Sequence, residues 1–430
     1  MSDALPIAPG STPSDYAARS ALLAELPSAD ESALRAWTTD LVAAAATARR
    51  VTADTEPVAA AERLVPLLAR KWQQRLDQSA DAPVEVVARD FVADAHGFAN
   101  WAAFEAHLAA LADPASDAAR FEQAADAIVD GDIDGLRAIL SAASSLVHAR
   151  STRAHGSTLL HYVAANGIED FRQKTPGNIV DIATLLLDAG SDVNAESAAY
   201  GGGATALGLA STSIHPQRAG VQIALLDVLL ARGAWIDRPG VAGNRHGAVL
   251  GCLANGQPAA AAHLAAHGSR LSLVEAAGVG RGDDVERLLP GAAADDVQTA
   301  FMYAAGYGHL AVAQRLLEAG ADASAGDARG ETALHWASGG FHADVVEMLL
   351  AHGARVAARD TTWDATPLDW TLYSHTTDRD QHRWPQAREV VRRLLAAGAT
   401  FRGEWWGPRL LAALQRDTEL AAILAAQSDR

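Results

Sequence analysis

One cysteine, three methionines and two lysines are what this 430-residue chain has least of. The lone Cys252 excludes an intrachain disulfide, so the fold must close on packing alone, as suits a reducing compartment. No apolar run approaches the ~20 residues needed to cross a bilayer. The alanine-rich stretch at 41–48 is short and meets Arg49 and Arg50. No basic-then-apolar leader opens the chain, and residues 1–14, rich in Pro, Ser and Gly, read as a loose tail. Basic charge is scarce too, with 35 Lys and Arg against 52 Asp and Glu, a net −17. The first 115 residues hold 9 basic and 16 acidic residues (9 − 16 = −7), which leaves −10 for the rest. Acidity in both parts disfavours nucleic acid and anionic membrane as partners and favours a basic or mixed protein surface. The two lysines stand against 33 arginines in an alanine-rich chain, which reads as the coding bias of a GC-rich, bacterial genome. A cytoplasmic location is expected.

What is present is a repeat. Residues 330–360 read GETALHWASGGFHADVVEMLLAHGARVAARD. Thr332 is positioned to cap the first turn of a short helix. Val345, Val346, Leu349 and Leu350 form one apolar face of a second helix. Gly353 ends it, because glycine takes a left-handed conformation without a Cβ penalty. A helix pair this short buries its apolar face only against stacked neighbours.

The stretch resembles the ankyrin repeat, whose pattern is roughly G-x-T-P-L-H-x-A-A, a helix ending L-L-L-x-x-G-A, and a hairpin finger. Related stretches recur from about residue 120 to 427, most closely at GSTLLHYVAANG (156–167), QTAFMYAAGYGH (298–309) and ATPLDWTLYS (365–374). The spacing Gly320 to Gly353 is 33, the family's period. The spacings Gly190 to Gly233 and Gly353 to Gly398 are 43 and 45. Insertions at 168–177, 211–220 and 375–386 account for the excess, and each falls between the two helices of a unit. The resemblance implies an all-α ankyrin solenoid of about 8–9 helix pairs with short β-hairpin fingers over 120–427. It implies protein recognition through the concave and finger surface.

Residues 15–115 lack the repeat and read as a helical module. Ser28 or Asp30 suits a cap for a helix through Leu34, Trp37 and Leu41, Pro66 falls inside or at the start of a second, Pro83 opens a third and Gly97 closes it. Asn100 caps a fourth carrying Trp101, Phe104 and Leu108. Phe98 and Trp101 are expected to pack between helices.

Aromatics mark the candidate surface. Tyr162, Tyr303, Trp336 and Trp370 follow the Leu-His slot, which usually holds a leucine; Tyr307 and Tyr373 lie three to four residues further on, and Trp363 falls at a finger tip. Tyr and Trp supply large, stiff contact area. The expected partner-contacting residues are Tyr307, Arg329, Trp336, Trp363, Trp370 and Tyr373. The plain alternative is that Trp336 and Trp370 only fill the leucine role.

Other chemistry is thin. His161, His335, His309 and His342 sit at slots where the family's imidazole bonds neighbouring backbone. His263 and His267 have helical metal spacing, with no third ligand evident. Cys252 reads as a buried apolar residue, and Gly201-Gly202-Gly203 lacks the lysine of a phosphate loop. His375, Asp378, Asp380 and His382 in the last insertion give a second reading, an enzyme or small-molecule binder using loop 375–384. A third is an inhibitor or immunity-type protein whose helical module binds the effector. No catalytic residue, metal or cofactor is expected.

Overall fold

A computed structural model describes residues 4–8, 10–26, 31–47, 57–79, 81–237, 247–377, 380–403 and 406–428. Ser28, Asp30 and Asp378 lie outside the described residues. Among the described residues the structure is mostly helical without a sheet. It divides into two compact units, Met1–Gly240 and Val241–Arg430.

In the first unit, helices Pro13–Glu25, Glu31–Thr47, Pro57–Gln78, Val84–Ala95 and Trp101–Leu111 enclose Tyr16, Leu23, Trp72, Phe91, Phe98 and Phe104. Local chemistry sets the helix ends. Asn100 Oδ1 accepts from Ala103 N–H at 2.9 Å. Gly97, at φ 82°, turns the chain after His96. Pro66 lies inside its helix. Phe98 is buried, and Arg89 of the preceding helix lies over the Trp101 ring at 5.8 Å, so both pack between helices. Within the loose tail expected over 1–14, one described segment is held in place. Leu5 is buried, its N–H donates to the Ala95 carbonyl at 2.7 Å, and its carbonyl is bonded by His96 Nδ1 at 3.0 Å. A second segment satisfying these backbone groups ties the strand of chain down.

The same unit contains the first helix pairs, Asp117–Asp130 with Ile133–Ala142 and Ala206–Thr212 with Gln222–Ala231. Between them a 3-10 helix, Leu159–Ala164, pairs with Ile179–Asp188. Short helices Asp170–Arg172 and Ile214–Arg218 fill the insertions at 168–177 and 211–220.

The second unit is a regular stack. First helices Leu273–Gly278, Ala294–Gly306, Ala333–Gly339 and Pro367–Thr377 pack one on the next, as do second helices Gly282–Leu288, Leu310–Glu318, Ala343–Ala351 and Trp384–Ala396. Val345, Val346 and Leu349 are buried and Leu350 is half-buried, so the apolar face is where the spacing put it. Thr332 caps its helix, accepting from His335 N–H. Gly353 takes φ 80°.

The expected β-hairpin fingers are not confirmed. Among the described residues there are only isolated bridges, such as Gly326 with Thr332. The turns are held instead by carboxylates. Asp327 Oδ1 accepts from Arg329 N–H at 2.8 Å and Glu331 N–H at 3.0 Å. Asp360 Oδ1 accepts from Thr362 N–H at 2.9 Å and Trp363 N–H at 2.6 Å. An aspartate that takes its own downstream amides closes a turn without a strand ladder.

Candidate functional site

The aromatic row of the second unit is seated on glycines. A Cβ on Gly278 would meet Leu253 at 2.4 Å and Tyr303 at 3.4 Å; one on Gly306 would meet Trp336 at 3.0 Å; one on Gly339 would meet Trp370 at 3.3 Å. Each first helix thus leaves out a side chain where the next unit lays down a ring. Aromatics replace the usual leucine because the neighbour has made room.

Tyr303, Tyr307, Arg329 and Trp336, with Leu253, Ala254 and Gly306, line a depression of about 330 Å³. Tyr303 is edge-on to Trp336 at 5.2 Å and nearly parallel to Tyr307 at 6.5 Å. Trp336 Nε1 donates to Glu331 Oε2 at 2.9 Å, and Arg329 Nη2 donates to the same oxygen at 3.1 Å. The Tyr307 hydroxyl donates to the Leu253 carbonyl. Burial, with smaller contributions from Tyr303 and Cys252, pushes the Tyr307 phenol up to about 12. Burial also raises Tyr303, against the pull of Arg329. Both phenols are therefore neutral at neutral pH, and the walls are π faces with one guanidinium at the rim.

Three of the six expected contact residues, Tyr307, Arg329 and Trp336, meet in this depression; the other three are not among its lining residues. Trp363 is 69% exposed on its finger. Asp364 there takes φ 51° and is paired with Arg359 at 2.8 Å. Trp370 is half-buried, and its indole N–H donates to Asp360 Oδ2 at 3.0 Å. Burial pulls the Asp360 carboxyl up, but the Trp370 indole and the Trp363 and Thr362 amides outweigh it and hold it below its ordinary value. Tyr373 is exposed on helix Pro367–Thr377. Sequence reading missed Leu253 and Ala254 as walls. The signal was the shortness of the helix pair at 271–292, which lies between Leu253 and Tyr307 in the sequence.

The histidines tie units together. His335 Nδ1 accepts from Thr332 N–H at 3.1 Å, so Nε2 carries the proton and donates to the Ala365 carbonyl at 3.2 Å. His161 does the same with Thr158 and the Ala204 carbonyl. In the repeat that opens at 365–374 Asp369 fills this slot, accepting from Thr366 N–H at 2.9 Å. A carboxylate cannot donate onward, and its next partners are donors, Arg402 Nη2 at 3.2 Å and Trp406 Nε1 at 3.3 Å. His309 Nε2 bonds the Gly278 carbonyl at 3.0 Å, and His342 bonds that of Gly306. Burial lowers both imidazoles.

Loop 375–384 is not drawn together as a ligand set among its described residues. His375 is buried with Nε2 3.0 Å from Asp417 Oδ2, Asp380 accepts from His382 N–H at 3.0 Å, and the His382 side chain is exposed. Arg383 instead donates to the Gly340 carbonyl at 3.0 Å and stacks over Phe341 at 4.9 Å. His267 Nδ1 is bonded to its own helix, at the His263 carbonyl, at 2.8 Å.

A second concentration of charge lies inside the first unit, where sequence reading saw only an insertion. Glu169 is fully buried, with Arg153 Nε at 2.5 Å, Arg172 Nη1 at 3.3 Å and the Tyr162 hydroxyl at 3.1 Å from one oxygen. Glu122 takes Arg172 Nη2 at 2.8 Å and Arg153 Nη2 at 3.1 Å. Burial would raise both carboxyls, but the two guanidiniums outweigh it and hold them low. Arg153 Nη1 also donates to the His96 carbonyl at 2.8 Å. Both guanidiniums are thus consumed inside the protein, and the cluster joins the N-terminal helices to the first helix pairs. Glu169 and Arg172, flanking Phe171, were the signal available in the sequence.

The stacked pairs of the second unit define a helical-repeat solenoid. Residues 273–360 match the family model for ankyrin repeats (3 copies). The chain is an ankyrin repeat protein. Such repeats are in general protein–protein interaction modules. Comparison with curated proteins finds no match.

Proposed function

We propose that this chain is a protein-recognition scaffold of about eight or nine helix pairs, working in the cytoplasm on a partner with a basic or mixed surface. Its contacts come from Tyr307, Arg329, Trp336, Trp363, Trp370 and Tyr373. The observation that carries this reading is the accessible aromatic row of the second unit, where Tyr307, Arg329 and Trp336 share one depression and Trp363 and Tyr373 project into solvent. Exposed Trp and Tyr on a braced backbone bury much area at little entropic cost. The reading with an enzyme in loop 375–384 is disfavoured, because His375 is committed to Asp417. The test is capture of the partner by the intact chain and by Trp363→Ala and Tyr373→Ala forms. Each change should weaken capture at least tenfold, and affinity should fall as salt rises. Capture indifferent to both changes and to salt would remove the basis for this reading.

A further inference from the structure

We infer that the depression walled by Tyr303, Tyr307 and Trp336 is a subsite for one large apolar side chain, presented by an extended, positively flanked segment of a partner protein. This rests on the recognition reading above and adds the chemistry of what is recognised.

The walls choose the occupant. The volume of about 330 Å³ is at the small end of ligand pockets and suits a single large side chain. Its hydrogen-bonding groups are largely spent inward. The Trp336 indole N–H and one Arg329 nitrogen share Glu331, and the Tyr307 hydroxyl holds the Leu253 carbonyl. A polar side chain entering here would be desolvated with few partners. A cationic side chain would also meet Arg329, whose own counter-charges, Glu331 at 3.1 Å and Asp327 at 3.5 Å, are already engaged. An apolar body covers the π faces without that penalty, and the exposed Arg329 at the rim is free to meet a main-chain carbonyl beside it. The flanks follow from charge. Residues 241–430 hold 17 basic and 22 acidic residues (17 − 22 = −5) and the whole chain carries −17, so basic flanks are attracted and acidic ones repelled.

The probe is the acetylated, amidated pentapeptide Arg-Gly-Phe-Gly-Arg, with controls in which Ala replaces Phe or Glu replaces both Arg. It is titrated into the full chain labelled with 5-fluorotryptophan and read by fluorine NMR. The Trp336 resonance is identified with Trp336→Phe. The Phe peptide should move that resonance, the Ala peptide only at tenfold or higher concentration, and the Glu peptide at least fivefold more weakly at low salt. Ala254 is exposed at the mouth, so Ala254→Phe should fill the depression and abolish the response while the remaining tryptophan resonances stay native. Equal responses to Phe and Ala peptides, a preference for the Glu peptide, a response that survives Ala254→Phe, or no response at Trp336 would each overturn the proposal. If Trp336 is silent while partner capture still depends on Trp363 and Tyr373, recognition stands and this subsite alone falls.

Discussion

His161 in the first unit and His335 in the second occupy the same slot, make the same bonds and feel different fields. Each accepts from a Thr backbone N–H and donates to a carbonyl of the following repeat. Burial lowers both. Around His161 the nearby Arg150 lowers it further, to about 4. Around His335 the carboxylates Asp360 and Asp369 push back, and the net is a lowering that they moderate. One repeat motif therefore carries two electrostatic characters. The first unit adds buried charge to its repeats, whereas the second links them mainly with neutral imidazole-to-carbonyl bonds.

Acid is the strongest way to sharpen this contrast. Burial lowers His96 to about 3 and His107 to about 4, alongside His161 at about 4. For a histidine whose folded value is depressed, the unfolded chain takes the proton first. The stability it lends is complete above the unfolded value near 6.5 and is lost as pH falls from there toward the folded value. A drop from 6.5 to about 4 or 3 corresponds to about 3–5 kcal/mol per group, and three such groups rival the whole stability of a domain. Between pH 6.5 and 4, hydrogen exchange should therefore report loss of protection in residues 81–237 before residues 273–360. Simultaneous loss, or loss in the second unit first, would break the contrast.

Removing one buried charge is the next largest effect. Glu169→Ala leaves the buried Arg153 and Arg172 short of a counter-charge. Breaking a buried pair on one side costs about 3–5 kcal/mol. Denaturant unfolding should show a loss of that order, with exchange again confined to the first unit. Glu169→Gln keeps an acceptor for the Tyr162 hydroxyl yet should recover only a minor part. A loss below about 1 kcal/mol for the Ala form would mean the cluster is not what joins the N-terminal helices to the repeats.

Much of this was legible in the residues. The Thr-x-Leu-His openings, the leucine faces and the closing glycines fix helix pairs because each depends on chemistry within a few positions. The aromatic slots were legible as well, and three candidates do meet. What escaped was every feature set by contact at a distance. Glu169 and Arg172 are three apart in the insertion at 168–177, but nothing there announces that both are buried or that Arg153 joins them. The reach of Leu253 to Tyr307 depends on a short unit between them. In the connectors expected as fingers, the aspartates at 327 and 360 accept from their own downstream amides, a local bond that the repeat spacing did not announce.

The smallest effect lies at the junction of the repeat at 330–360 with the one that opens at 365, compared with the junction before it. Gly308 takes φ 77° and leaves no Cβ, so that His342 of the next unit lies where one would be, 2.4 Å away. One repeat later Phe341 holds the same backbone at φ 64°. A left-handed non-glycine residue costs about 1–2 kcal/mol, and its side chain fills the space an imidazole would need. The repeat that opens at 365 has no histidine there; its insertion brings Arg383 over the Phe341 ring at 4.9 Å. The two departures therefore explain each other, and they should be coupled. In a double-mutant cycle with Phe341→Gly and Arg383→Ala, the coupling should be about 0.5–1 kcal/mol, as for a partly exposed cation over a ring. Each single change is read by denaturant unfolding at constant m. Additivity within about 0.3 kcal/mol would show that the insertion does not compensate the lost glycine, and the two junctions would then differ by accident rather than by exchange of one packing solution for another.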